Sequence, residues 1–168
     1  SNPGTTLYFG INGTSIYNGN ILVSNSGGAA GITFNNGASA SSILNGSISS
    51  GVFSSGTLNL YRFSQVGAFA QNLTLTSSAL LRVGPNSSFD GPVNFISPRI
   101  LLNGASYNGV TSLEKTGANN DAGNGGNTFN NTTALINSGS GYFMTGNTSP
   151  DIFNGPLTIT NTSSSYIY

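Results

Sequence analysis

The sequence predicts an all-β protein: a right-handed parallel β-solenoid of about seven coils, with roughly 24 residues per coil. Three observations predict it. A short phrase recurs, in which an aromatic residue or Leu precedes Asn-Gly or a close variant, and two inward-type residues follow at alternate positions. The composition is dominated by Gly, Ser, Thr and Asn yet keeps 36% hydrophobic residues, many of them Ile, Leu, Val, Phe or Tyr at alternating positions. The runs beginning at Phe129 and Phe153 align without a gap over 15 residues at a spacing of 24, so that Asn137 falls on Asn161, Tyr142 on Tyr166 and Phe143 on Ile167.

The copies of the phrase follow in chain order. Tyr17-Asn18-Gly19 leads to Ile21 and Val23, and Leu44-Asn45-Gly46 repeats the corner. Between Leu44 and Leu81 the phrase weakens, although alternation persists in Thr57–Leu60 and Asn72–Thr76. It returns as Phe89-Asp90-Gly91 with Val93 and Phe95, and as Tyr107-Asn108-Gly109 with Thr111 and Leu113. The last copies are Phe129-Asn130-Asn131 with Thr133 and Leu135, and Phe153-Asn154-Gly155 with Leu157 and Ile159.

Each part has a physical reason. Asn and Gly adopt positive φ at little cost, so Asn-Gly is expected to mark a sharp corner. The Pro of Gly91-Pro92 and Gly155-Pro156 is expected at the first position of a strand, where a missing N–H is least costly. The alternating residues after the corner point to one side, inward. Asn side chains repeated at one corner are expected to stack, each amide bonding the next at the strand spacing of about 4.8 Å, with the preceding aromatics stacked inside. A hairpin is the competing reading of Asn-Gly, leading to a β-sandwich or barrel. It requires matched strands on both sides, and segments such as Asn147–Ile152 before the corners are loop-like. Right-handedness is expected from the general crossover preference.

The Gly/Ser/Asn content raises the question of disorder, which goes with few aromatics and high net charge. This chain has seven Tyr, ten Phe and a formal net charge of zero, and is expected to fold as one segment over residues 1–168. Pattern at both ends suggests an excerpt of a longer tandem-repeat protein. The segment 117–127, all Gly, Ala, Asn and Asp, is expected to be an external loop between coils.

Composition also removes function classes. Arg62, Arg82, Arg99 and Lys115 stand singly, which argues against nucleic-acid binding and against docking on anionic lipid. No apolar run is long enough to insert in a membrane as a helix. With no His and no Cys, the commonest general base, the thiol nucleophile and the soft metal ligands are missing. Asp90, Glu114, Asp121 and Asp151 are well separated, so no metal, no other cofactor and no enzyme activity are expected. Asp90 reads as a corner residue in place of Asn, and Asp151 as an exposed turn. Glu114-Lys115 reads as a solvated pair on the outer face. The Thr-x-Thr steps at Thr74/Thr76 and Thr158/Thr160 are too sporadic for an ice-binding face.

The phrases Phe-Asn-Gly-Pro-Leu-Thr-Ile-Thr-Asn (153–161), Gln-Asn-Leu-Thr-Leu-Thr (71–76) and Lys-Thr-Gly-Ala-Asn-Asn-Asp (115–121) resemble the long repeats of giant secreted surface proteins of Bacteroidota bacteria. That resemblance implies export to the cell surface and very long tandem arrays acting as adhesin stalk or extracellular fibre. It carries no catalytic residues. The expected partners are copies of the chain itself, end to end or laterally, and surface glycans as a second class. The alternative function is a carbohydrate-binding or carbohydrate-cleaving β-helix.

Overall fold

A computed structural model describes residues 5–168. It is a β-solenoid of about seven turns, built from parallel strands and, among the described residues, no helix. Every turn contributes one short strand to each of up to three sheets. The first sheet stacks Leu7–Phe9, Ile32–Phe34, Thr57–Leu60, Leu80–Val83 and Arg99–Leu102. The second stacks seven strands, from Thr14–Tyr17 to Ile152–Phe153, and the third stacks seven, from Ile21–Asn25 to Leu157–Asn161. All named strand pairs are parallel, which removes the hairpin reading: the corner phrases at Tyr17, Leu44, Phe89, Tyr107, Phe129 and Phe153 turn the chain from the second sheet into the third.

The coil length is less regular than the spacing of 24 expected from the last two copies. Partners Tyr17, Leu44, Gln65, Phe89, Tyr107, Phe129 and Phe153 are separated by 27, 21, 24, 18, 22 and 24 residues. Loops outside the sheets absorb the difference, because only the strand residues are constrained by the ladder.

The segment 117–127 differs from the sequence expectation. It is not purely an external loop: Asp121–Ala122 forms a strand paired with Phe143–Met144, Gly125 bridges Asn103, and Asp121 and Asn127 are fully buried. The expectation rested on the lack of large side chains, but a buried carboxylate or amide can enter the interior where its bonds are met. Asp121 accepts from the Ile100 N–H at 3.0 Å and from Arg99 Nε at 2.9 Å.

Inside, one aromatic spine runs through every coil. Phe9 stacks on Phe34 at 5.2 Å and Phe34 meets Phe63 edge-on at 5.2 Å. The spine continues through Phe89, Tyr107, Phe129 and Phe153, and the last two steps are 4.8 Å with rings 7° and 4° from parallel. Leu44 and Gln65 interrupt the aromatic position of the second sheet, and Phe34 from the first sheet and Phe63, two residues before Gln65 on the same strand, fill the gap. Such pairs each contribute about 0.5–1.5 kcal/mol beyond the apolar area they bury.

Burial of the expected inward residues follows the coil they occupy. Phe89, Val93, Phe95, Tyr107, Leu113, Phe129 and Leu135 are buried, as is Val23. Tyr17, Ile21 and Phe153 are half-buried against the core. Leu157 and Ile159 hold the same register over Thr133 and Leu135 but are 39% and 57% exposed, because no coil lies beyond them.

Candidate functional site

The recurrent corner builds the most continuous polar feature of the surface. Asn45 Nδ2 donates to Asn18 Oδ1 at 2.8 Å. Higher up, Asn108 Nδ2 donates to Asp90 Oδ1, Asn130 Nδ2 to Asn108 Oδ1, and Asn154 Nδ2 to Asn130 Oδ1, all at 2.8 Å. Asp90 therefore ends the upper ladder as a pure acceptor, the role a carboxylate fills better than an amide. Asn131, one place on, lies outside the ladder, and its Oδ1 accepts from the Thr132 N–H at 2.8 Å. The ladder residues are exposed, so each amide keeps a second N–H and a lone pair turned toward solvent.

The corner glycines act for a reason other than the one read from sequence. None of Gly19, Gly46, Gly91, Gly109 and Gly155 has positive φ. A Cβ on Gly46 would sit 2.6 Å from the Gly19 carbonyl oxygen, one on Gly109 2.5 Å from the Gly91 carbonyl carbon, and one on Gly155 2.5 Å from that of Asn131. One on Gly91 would strike the Phe69 carbonyl. The demand is for close approach between coils. Gly19 is the exception: among the described residues nothing lies within 4 Å of its Cβ position. The residue after each corner Gly sends its carbonyl, not its N–H, into the ladder: Gln71 N donates to Pro92 O at 2.7 Å and Thr133 N to Pro156 O at 2.8 Å. Proline fits there because nothing in the ladder asks that position for a proton.

A second polar cluster lies inside, at the far end of the third sheet. Lys115 is not on the outer face beside Glu114. Strand alternation turns Glu114 outward, where it accepts from Ser138 Oγ at 2.6 Å, and buries Lys115 completely. Its Nζ donates to the Gly117 and Gly141 carbonyls at 2.5 and 3.2 Å. Burial pulls the Lys115 pKa below 10.5, partly opposed by the Asp121 charge. Burial likewise raises Asp121 above 3.8, against the pull of Arg99. Asn137 and Asn161 continue the Lys115 position in register on the next two coils, and Asn137 Nδ2 reaches the same Gly141 carbonyl at 3.1 Å. These groups face backbone carbonyls, so they fasten the loops that close each coil.

Asp151 is half-buried, not an exposed turn: its Oδ1 accepts from the Asn127 N–H at 2.9 Å and from Asn127 Nδ2 at 2.8 Å. Among the described residues no three acidic side chains gather to hold a metal. The Thr158/Thr160 step faces Ala134 and Ile136 on the coil below, so it stays isolated. Two buried glutamines, Gln65 and Gln71, escaped the sequence reading, although the failure of the corner phrase between them marked the place. Comparison with protein-family models, curated proteins and solved structures gives no match.

Proposed function

We propose that the chain is a segment of an extracellular fibre or adhesin stalk whose two end faces are covered by further coils, from the same chain or from another copy. The observation that carries this reading is the state of those faces. At one end Leu7, Phe9 and Leu22 are exposed around an open apolar recess that also reaches Ile21, Val23 and Phe34. At the other, every residue of Leu157–Asn161 is exposed, with Leu157, Ile159, Tyr166 and Tyr168 bare to solvent. Both faces are cross-sections of the core, with unpaired backbone groups along their strand edges.

Gly19 adds an independent argument. In the other corners where Gly follows Asn or Asp, it lies against the coil beneath; Gly19 has the residue without the neighbour that calls for it. A preceding coil would supply that neighbour. A role in extension also suits a chain with only four basic and four acidic side chains, whose sides are rich in amides and hydroxyls.

Negative-stain microscopy and sedimentation of the purified segment over a range of concentrations test the stacking. Rods lengthening with concentration at constant width are expected if copies cover the faces; monodisperse single-segment particles at every concentration would rule out stacking between copies. Brief protease treatment of intact source cells, followed by peptide mapping, tests the location: the segment should be released without lysis.

A further inference from the structure

The third coil carries a feature that stacking does not use. After Gln65 the chain leaves the corner path and runs through Val66-Gly67-Ala68-Phe69-Ala70 before rejoining the third sheet at Gln71. All five of these residues are exposed, Val66 at 44% and Phe69 at 51%. Other apolar side chains such as Val52 and Val110 are exposed singly, whereas here five consecutive residues with no polar side chain stand in water.

The loop is held rather than loose. Gln65 and Gln71 are both fully buried. Gln65 Nε2 donates to the Val66 and Gly67 carbonyls at 2.9 and 2.8 Å, while its Oε1 accepts from the Gly91 N–H at 2.9 Å. Gln71 Nε2 donates to the Phe69 carbonyl and, at 3.3 Å, to that of Gly46, and its Oε1 accepts from the Ile48 N–H at 2.8 Å. Burying an amide is unfavourable unless its bonds are met, and here both amides are saturated by backbone. Three of the loop's carbonyls are fixed from inside. Gly67 stands at φ +87°, the left-handed region that favours glycine, and the position of an added Cβ falls 3.5 Å from Cε2 at one edge of the Phe69 ring.

The surroundings select the ligand chemistry. The loop splits the corner ladder, with Asn18–Asn45 below it and Asp90–Asn108–Asn130–Asn154 above. The nearest ladder charge, Asp90, is already engaged by Asn108 Nδ2 at 2.8 Å and the Gly67 N–H at 3.4 Å. A platform of one aromatic ring, with the Asn45 amide one coil below, the Asp90 carboxylate one coil above and the Asn108 amide beyond it, complements a pyranose chain. Such a chain offers an apolar C–H face and a rim of hydroxyls. We infer that the Val66–Ala70 loop is a docking site for a neutral polysaccharide, with Phe69 stacking on a sugar ring and the ladder amides of Asn45 and Asn108 bonding its hydroxyls. A preformed platform lowers the ordering entropy that weak, repeated contacts must overcome.

The site is a property of the soluble segment and is tested apart from stacking. Native gels cast with a soluble β-glucan, a xylan, a galactomannan or dextran sulfate compare wild type with F69A and Phe69→Trp. Retardation in at least one neutral polysaccharide is expected, weakened about tenfold in F69A and retained in Phe69→Trp, with unchanged circular dichroism. Failure of all three neutral polysaccharides to retard the protein, equal retardation of F69A, or retention by dextran sulfate alone would overturn it. So would oligomers that F69A dissociates in the absence of glycan, which would assign the loop to a contact between copies.

Discussion

Substituting Ala at Gly109 and at Gly19 should have opposite consequences, although both stand in the same Asn-Gly phrase. If positive φ were the reason for these glycines, both changes would strain the backbone alike. Neither φ is positive. At Gly109 the new Cβ would lie 2.5 Å from the Gly91 carbonyl carbon and 2.8 Å from Pro92 N, both main chain. Relief requires the coils to separate by about 1 Å, against the flanking bonds Asn108 N to Phe89 O and Val93 N to Val110 O, each 2.8 Å. Overpacking of this kind costs about 1–3 kcal/mol, and loss of one ladder bond adds about 1 kcal/mol. Reduced freedom of the unfolded chain returns about 0.4–1 kcal/mol. Gly109→Ala is therefore expected to destabilise by about 1–3 kcal/mol. Gly19→Ala meets nothing within 4 Å, so only the unfolded-state effect remains, and it should be neutral or stabilising by up to about 1 kcal/mol. Urea titration of dilute protein, read as the shift in midpoint at constant slope, measures both. Equal destabilisation by the two substitutions would refute the close-approach argument. The same Gly19→Ala protein should lose self-association at high concentration, since the added methyl obstructs an arriving coil.

Further outcomes follow from other parts of the chain. Asn130→Ala breaks two ladder bonds at an exposed site and should cost about 0.5–2 kcal/mol, with faster amide exchange confined to the coils around Tyr107, Phe129 and Phe153. Tyr107→Phe removes a fully buried hydroxyl that finds no protein partner among the described residues; it should stabilise by about 1 kcal/mol, seen as a raised melting temperature. Burial, aided by the Asp151 charge, holds the Tyr107 phenol protonated well above 10.0, so the unfolded chain ionises first and wild-type stability falls as pH rises past 10.0. Tyr107→Phe should flatten that fall, which denaturant titrations at pH 9 to 11 would show. Lys115→Met removes the Nζ donor shared by the Gly117 and Gly141 carbonyls, which keep only the Gly141 N–H at 3.3 Å and Asn137 Nδ2 at 3.1 Å. It should loosen the 116–120 and 138–142 loops in hydrogen exchange, with a net stability change smaller than about 2 kcal/mol, because an apolar side chain relieves the desolvation that depresses the lysine.

Much of the architecture is legible in the residues because a stacked coil repeats one local problem. The phrase Phe153-Asn154-Gly155 and its relatives located the corners, and alternation located the third-sheet strands, since period-two patterning and corner chemistry are local properties. The 24-residue step is legible where the last two coils share it; elsewhere the coil spacing varies between 18 and 27 residues without disturbing the ladder. Lys115 was misplaced because charge suggests the outside, whereas its place in the alternation, two residues after Leu113, turns it inward. Asp121 was placed in a loop because its neighbours are small, yet the Ile100 N–H and Arg99 make it an interior residue.

The all-β character, the recurring corners and the apolar inward face of the strands can be read from the residues alone, because each follows from short-range sterics and solvation. Only the tertiary structure decided what each corner glycine is for, where the aromatic spine crosses between sheets, and which polar groups are inside. Those depend on what lies one coil away, roughly 4.8 Å along the axis but 18 to 27 residues along the chain. The loop at Phe69 belongs to the same class: five unremarkable letters become a presented surface through two glutamines and the coils above and below them.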